Sequence, residues 1–248
     1  MSANFVLLAA IIGVFLLAGA IKGVVGMGLP TAAMGLLSLV MPPAEAAAIL
    51  ILPSFITNVW QSAAGGHLAA LLQRFWPTLL ASALGTIGGA ALFGAINNTG
   101  AIPALGAALA LYALLGLTAV RLRVAAHAEY WLGPLVGGVT GIFAALTGVF
   151  VIPVVPYLQA LDLERDDLVQ AFGLSALVST LALAAALAHD GRFQLHDTAG
   201  SLLALLAASV GMMLGQWMRA RISPGVFRSC FFFGLLALGA HLLLRSAI

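Results

Sequence analysis

Charged side chains are scarce in this chain of 248 residues, where they make up 7% of the sequence against 62% for hydrophobic residues. Soluble domains carry about 25% charged residues, so this chain cannot cover a surface that faces water. The mean hydropathy of +1.13 points the same way. Within a bilayer, backbone polar groups must pair with each other, which leaves helices or a closed barrel. The apolar runs are continuous, not alternating, so we predict helices.

Cysteine and lysine are almost missing as well. Cys230 stands alone, which excludes an internal disulfide and a metal site built from several cysteines. The sequence has no HExxH, GxSxG or Walker A pattern, so hydrolysis and ATP-driven work have no visible machinery. We therefore expect no enzyme activity and no cofactor. The pI near 9.1 reflects arginines at segment ends, not a surface for nucleic acid.

Two of the apolar stretches are interrupted. A helix needs about 20 apolar residues to cross the membrane, and six stretches fit that length. Residues 4–41 and 131–160 are too long for one span, and they break at Gly23–Pro30 and from Thr147-Gly148 to Pro156. Each is predicted to be a pair of short helices, or a hairpin, with unwound backbone between. The six full spans are predicted at 44–64, 75–96, 101–120, 168–188, 197–217 and 225–244.

The two breaks recur about 120 residues apart, close to half the chain length. A shared order of features follows each of them, which suggests an old duplication into repeats 1–124 and 125–248. Broken apolar segments at corresponding places of two halves are the best sequence pointer to a transporter's binding site. The predicted fold is an all-α polytopic membrane protein with two repeats, each a broken-helix pair or hairpin plus three transmembrane helices.

The arginines give the topology. If each broken stretch counts as a pair of segments, seven of the nine arginines fall on one side, and only Arg192 and Arg245 on the other. If each counts as a single span, the bias disappears. The positive-inside rule favours the first arrangement. It predicts a multi-pass protein of a bacterial inner membrane with both termini periplasmic, and it makes the two repeats inverted relative to each other.

The first break has three readings. Its glycines superficially resemble a dinucleotide-binding loop, but Thr31 stands at the third glycine position and no soluble βαβ unit surrounds it. Glycines also permit close helix packing, which suits Gly19-x-x-x-Gly23. For Gly23–Pro30 we favour functional unwinding, because free amides at a helix N-terminus attract anions. Lys22, the only lysine, lies beside this break, either inside the membrane or at its cytoplasmic surface.

Neutral polar side chains cluster beside both breaks, while all eight acidic residues lie in loops or at span ends. No carboxylate is therefore placed to relay protons or sodium through the membrane. Each neutral polar residue alone is more often a helix–helix contact than a ligand contact, but their grouping favours a shared cavity. The candidate substrate-binding residues are Lys22, Gly26, Gly28, Thr31, Ser54, Asn58, Thr147, Gly148, Ser175 and Ser179.

These segments resemble the TauE/SafE family, also called sulfite-exporter-like or TSUP permeases. The resemblance is carried by Gly19–Pro30, by Pro43-Ala-Glu-Ala46 and the span with Ser54 and Asn58, and by residues 137–156 and 171–179. One departure is Leu146-Thr-Gly-Val-Phe150, where relatives often have a denser glycine run. The resemblance implies transport of sulfite, sulfonates or related organic anions.

We therefore expect a secondary transporter that binds a small anion near the membrane midplane, where the two breaks face each other. Access would alternate as one repeat rocks against the other. An anion-selective channel or facilitator could use the same helix dipoles and stays an alternative, whereas a purely structural subunit would not explain paired breaks. The expected partners are the anion and the lipid bilayer, without nucleic acid, and a homodimer is left open.

Overall fold

The structure is a computed structural model, and it describes residues 2–96, 100–118, 123–189, 198–219, 221 and 223–247. Within these ranges the chain forms ten helices and no strand. Eight helices are long and apolar enough to cross a membrane, and α2 and α7 are too short. The helices are α1 Ser2–Val25, α2 Leu29–Leu37, α3 Pro43–Ala63, α4 Leu68–Phe93, α5 Ala101–Thr118, α6 Ala126–Thr147, α7 Val154–Gln159, α8 Arg165–His189, α9 Thr198–Arg219 and α10 Pro224–Ala247.

Each broken stretch is a long helix followed by a short one, not the predicted pair of short helices. α1 has 24 residues and α2 has nine, while α6 has 22 and α7 has six. The breaks therefore lie at the ends of full spans. The predicted interruptions are confirmed at residues 26–28 and 148–153, and only the length of the first helix of each pair was underestimated. Gly19 and Gly23 lie within α1 and face α9.

The six full spans are confirmed, with one shifted boundary. α4 begins at Leu68, seven residues before the predicted start, and so includes Arg74. Arg74 donates two hydrogen bonds to Glu129 on α6, at 2.7 and 2.8 Å. Pairing with this carboxylate lets the helix carry the charge within its first turns.

Helices α3 and α8 form the centre of the bundle. In their most apolar windows 61% and 67% of the residues are buried, against 28–44% for the other spans. α3 and α8 pack on each other, and three further pairs surround them: α1 with α9, α4 with α6, and α5 with α10. Every one of these four pairs joins a helix before residue 124 to one after it.

Glycines bring the outer helices into backbone contact. A Cβ atom at Gly19 would overlap the backbone of Ala208, and one at Gly141 would overlap the backbone of Ser82 and Thr86. Close approach of this kind is what small residues provide between membrane helices. The packing alternative is thus confirmed for these glycines, although not for the first break itself.

One end of the bundle gathers basic residues. α3, α5 and α9 end there, and α4, α6, α8 and α10 begin there, as the contacts between their ends show. We call this end the arginine face, after Arg74, Arg165, Arg219 and Arg228. Arg245 lies at the other end, where it binds the carbonyl of Leu39. Arg121 and Arg192, used in the topology prediction, lie outside the described residues.

Candidate binding site

The first break is a glycine turn that closes α1 and opens α2. The N–H of Gly26 donates to the carbonyl of Lys22 at 2.7 Å. Gly26 and Gly28 have φ angles of 85° and 101°, a left-handed conformation that glycine adopts without a steric penalty. Gly28 caps α2 without any side-chain hydrogen bond. The turn places the last residues of α1 against α3 and α8.

Lys22 lies inside the protein, in the last turn of α1, with 3% of its surface exposed. Its Nζ donates to Thr57 Oγ1 at 3.1 Å and to Asn58 Oδ1 at 2.5 Å, both on α3. The ion pairs within 4 Å among the described residues join His67 to Asp167 and Arg74 to Glu129, so neither involves Lys22. The ammonium group is therefore held by neutral oxygens and has no carboxylate to balance its charge.

A chain of hydrogen bonds continues from Lys22 across the centre of the bundle. Asn58 Nδ2 donates to Ser54 Oγ at 3.2 Å, and Ser54 Oγ lies 3.2 Å from Thr180 Oγ1 on α8. One residue earlier on α8, Ser179 Oγ lies 3.0 Å from Ser82 Oγ on α4. All of these side chains are buried. The chain joins α1, α3 and α8, and the adjoining Ser179–Ser82 pair joins α8 to α4.

A cavity of about 400 Å³ opens beside Lys22 at the arginine face. It lies between the C-terminal ends of α1, α3 and α9 and the N-terminal end of α8. Three of its lining residues carry charge, and the other ten are neutral. The lining residues are Lys22, Gly23, Gly26, Trp60, Gln61, Ala64, Gly65, Gly66, Asp166, Val169, Met212, Gln216 and Arg219.

Near this cavity the end of α3 is fastened to the start of α8. Gln61 Nε2 donates to the carbonyl of Val169, and Gln170 Nε2 donates to the carbonyl of Ser62, both at 2.7 Å. His67 Nδ1 lies 2.8 Å from Asp167 Oδ1. The hydrogen bond and charge of Asp167 raise the pKa of His67 above its ordinary value. Two crossed hydrogen bonds from side-chain amides thus join the two central helices, and the His67–Asp167 pair joins the start of α4 to α8.

The second break satisfies its own polar groups. The N–H of Gly148 donates to the carbonyl of Ala144 at 2.8 Å, and Gly148 has a φ of 69°. Thr147 Oγ1 donates to Phe143 O at 2.7 Å and accepts from the N–H of Val149 at 3.1 Å. Gly26 and Gly148 therefore do not offer the free amides that the sequence suggested.

The glycines of the two breaks pack against different side chains. The closest side chain to Gly148 is Met34 on α2, and the closest to Gly28 is Phe231 on α10. Gly26 instead faces Val169. The second break thus touches the middle of the short helix that follows the first break, and the two turns have separate surroundings.

The family model described as sulfite exporter TauE/SafE matches residues 11–242. The chain belongs to the TauE/SafE family. The match covers both breaks and at least part of every long helix, so this TauE/SafE chain is a membrane transporter, as the resemblance implied. No curated protein and no solved structure matches it.

The structure of this TauE/SafE chain brings together half of the predicted site residues. Lys22, Ser54 and Asn58 share the hydrogen-bond chain, Ser179 adjoins it, and Gly26 lines the cavity. The remaining five lie apart from these contacts. Among the described residues, Thr31 Oγ1 and Ser175 Oγ are buried without a hydrogen-bond partner. Gly28 caps α2, and Thr147 and Gly148 belong to the second break.

Three residues of the TauE/SafE chain's polar cluster, which is the hydrogen-bond chain from Lys22 with the adjoining Ser179–Ser82 pair, were missed. Thr57 binds Lys22, Thr180 binds Ser54, and Ser82 binds Ser179. The first had a detectable signal, because Ser54, Thr57 and Asn58 follow the spacing i, i+3, i+4 that places side chains on one face of a helix. Thr180 had none, since its partner lies 126 residues away.

Proposed function

We propose that this protein is a secondary transporter that binds a small anion at Lys22, with sulfite, a sulfonate or a related organic anion as its substrate. One observation carries the proposal: a buried ammonium group without a carboxylate partner adjoins an open cavity. An unbalanced charge inside a membrane protein costs free energy, and such a charge is by default a candidate functional group. An anion in the cavity would supply the missing charge.

The polar cluster would hold Lys22 ready for this ligand. An ammonium group has three donors, and Thr57 and Asn58 occupy two of them. The third would be free for the anion. Thr57 donates its own proton to the carbonyl of Pro53 at 2.7 Å, so its oxygen is left to accept from Lys22. The two α3 side chains therefore serve to position the charge.

We further propose that residues 1–124 and 125–248 are inverted repeats, and that access to a site at their shared centre alternates. The packing supports this. In the two repeats α1 would correspond to α6 and α4 to α9, and the contact between α1 and α9 has its counterpart in the contact between α6 and α4. The helix directions support it too. α1 runs towards the arginine face, while α6 runs alongside α4 and away from that face.

The arginine face would be cytoplasmic by the positive-inside rule, which places both termini in the periplasm of a bacterial inner membrane. The Lys22 cavity would then open to the cytoplasm. An inside-negative potential drives an anion outward by about 2.3 kcal/mol per charge per 100 mV, so export would need no further coupling. Reporter fusions in residues 123–130 should score as cytoplasmic, and a periplasmic score would overturn this orientation.

The direct test is sulfite flux in proteoliposomes with Lys22→Gln. Losing a hydrogen bond from a charged group is worth about 1.5–3 kcal/mol, so flux should fall roughly 10- to 100-fold. Arg123→Gln is the matched control, because it removes an exposed positive charge outside the cavity. It should transport normally. Equal flux in the wild type and in a correctly folded Lys22→Gln variant would disprove the proposed site.

The same vesicles separate a carrier from a channel. A carrier exchanges labelled for unlabelled anion across the membrane, so vesicles preloaded with unlabelled sulfite should transiently concentrate external label. A channel only lets the label equilibrate. Counterflow that depends on Lys22 would support alternating access, and Lys22-dependent flux without counterflow would favour the channel.

A further inference from the structure

We infer that the Lys22 site selects singly charged anions over doubly charged ones, an inference that rests on the proposed function. The reason is the charge of the cavity. Its charged lining residues are Lys22, Asp166 and Arg219, which give a formal net charge of +1. One singly charged anion neutralises this lining, whereas a doubly charged anion leaves an excess negative charge.

The three charged side chains of the cavity differ in burial. Lys22 is buried, while Asp166 and Arg219 are exposed where α8 begins and α9 ends. The two exposed charges have opposite signs and offset each other, and water and salt screen them only in part. At the depth of Lys22 the anion therefore meets a net of one positive charge, in surroundings where an unpaired charge is costly.

The neutral groups around Lys22 are largely engaged within the protein and carry no charge to balance a second negative charge. Thr57 Oγ1 donates to Pro53 O, Asn58 Nδ2 to Ser54 Oγ, and Gln61 Nε2 to Val169 O. Strong recognition of multiply charged oxyanions uses arginine forks. The one arginine that lines the cavity, Arg219, is at its exposed mouth.

Asp166 makes the discrimination adjustable. Its carboxylate lines the same cavity, and it repels a doubly charged anion about twice as strongly as a singly charged one. Replacing it with asparagine would raise the formal charge of the lining to +2. The variant should then accept doubly charged anions better, without any change to Lys22, Thr57 or Asn58.

The test is competition against sulfite flux in proteoliposomes, in chloride-free buffer acidic enough that sulfite is present as singly charged hydrogensulfite, with the membrane potential clamped at zero. Methanesulfonate and sulfate are the competitors, because both present sulfur-bound oxygens but carry one and two charges. In the wild type, methanesulfonate should inhibit at about tenfold lower concentration than sulfate. Asp166→Asn should narrow this ratio about threefold or more. Glu164→Gln is the control, since Glu164 is exposed and does not line the cavity.

The outcomes are distinguishable. Equal inhibition by both anions, or inhibition by neither, would overturn the charge selectivity while Lys22-dependent sulfite flux kept the proposed function. An unchanged ratio in Asp166→Asn would also overturn the inference. Sulfite flux that did not depend on Lys22 would remove the proposed function, and the inference with it.

Discussion

The two breaks of the chain have a similar backbone conformation but differ in charge. Gly26 and Gly148 lie 122 residues apart, both have positive φ, and both return their N–H to the carbonyl four residues earlier. In the first break that residue is Lys22, and in the second it is the fully buried Ala144. The recurring element is therefore the glycine turn, while the chemistry depends on one side chain present in only one half.

The central helices show the same contrast. A shift of 122 residues carries Thr57 onto Ser179 and Asn58 onto Thr180. On α3 the first two hold Lys22, but on α8 the second two bind Ser82 and Ser54 of neighbouring helices. Positions 122 residues apart thus hold a charge on α3 and join helices on α8. The difference predicts unequal effects of matched substitutions.

The largest difference is expected between Asn58→Ala and Thr180→Ala. Asn58→Ala removes a partner of a buried charge, worth about 1.5–3 kcal/mol, so sulfite flux should fall roughly 10- to 100-fold. Thr180→Ala removes two neutral hydrogen bonds, with Ser54 Oγ and to Ala176 O, each worth about 0.5–1.5 kcal/mol of stability. It should lower the melting temperature and leave flux nearly unchanged. Similar flux losses in both variants would end the distinction between the halves.

A smaller effect is expected at the glycine turns, where the halves should behave alike in stability. The left-handed conformation costs a residue with a Cβ atom about 1–2 kcal/mol, so Gly28→Ala and Gly148→Ala should both lower the melting temperature in detergent. The added atom would meet Phe231 Cζ at 3.2 Å in the first and Met34 Cε at 2.8 Å in the second.

Gly13→Ala is the control for the turns, because Gly13 is helical and a methyl group added there would have no neighbouring atom within 4 Å. Alanine is the better helix former, so this variant should be as stable as the wild type or more so. If Gly28→Ala melted like Gly13→Ala, the positive φ at the first break would carry no strain.

The smallest effect on stability is expected from the His67–Asp167 pair. At the other end of the bundle, the shift of 122 residues places Glu45 and His189 in the corresponding positions, but no ion pair within 4 Å joins those two described residues. Because the pKa of His67 is raised in the folded protein, its stabilising contribution is complete below the unfolded pKa. It disappears as the pH rises through the raised pKa.

Melting temperatures measured from acidic to alkaline pH report the stabilisation by the His67–Asp167 pair. Asp167→Asn should lower stability slightly at acidic pH and have no effect at alkaline pH, while His189→Gln should change neither. A deficit in Asp167→Asn that was the same at every pH would show that the carboxylate acts through something other than protonated His67.

Much of the fold was predictable because it depends on composition. Lipid forces helices, and a helix must be about 20 residues long to cross, so the six full spans were found within a few residues except at the start of α4. The division of the broken stretches was not predictable. The packing motif Gly19-x-x-x-Gly23 overlaps the predicted break at Gly23–Pro30, and only the contacts of both glycines with α9 show that α1 continues to Val25.

The site was predictable in its residue types and not in its contacts. The sequence was compatible with Lys22 at the membrane surface or in the interior. The interior position follows from its contacts with Thr57 and Asn58, which lie more than 30 residues away in the sequence. The free amides expected at Gly26 and Gly148 were wrong, because a glycine that ends a helix can still donate to its last turn. Local patterns do not contain that information.

The glycine contacts determine which parts of the molecule can shift together. α1 touches α9 backbone to backbone, and α6 touches α4 in the same way. Helices in such contact cannot slide apart without opening a void, so each pair would travel as one body. Those bodies each combine segments from both sides of residue 124. In a switch between inward and outward states, each moving body would therefore contain helices of both sequence halves. One half would not move as a unit against the other.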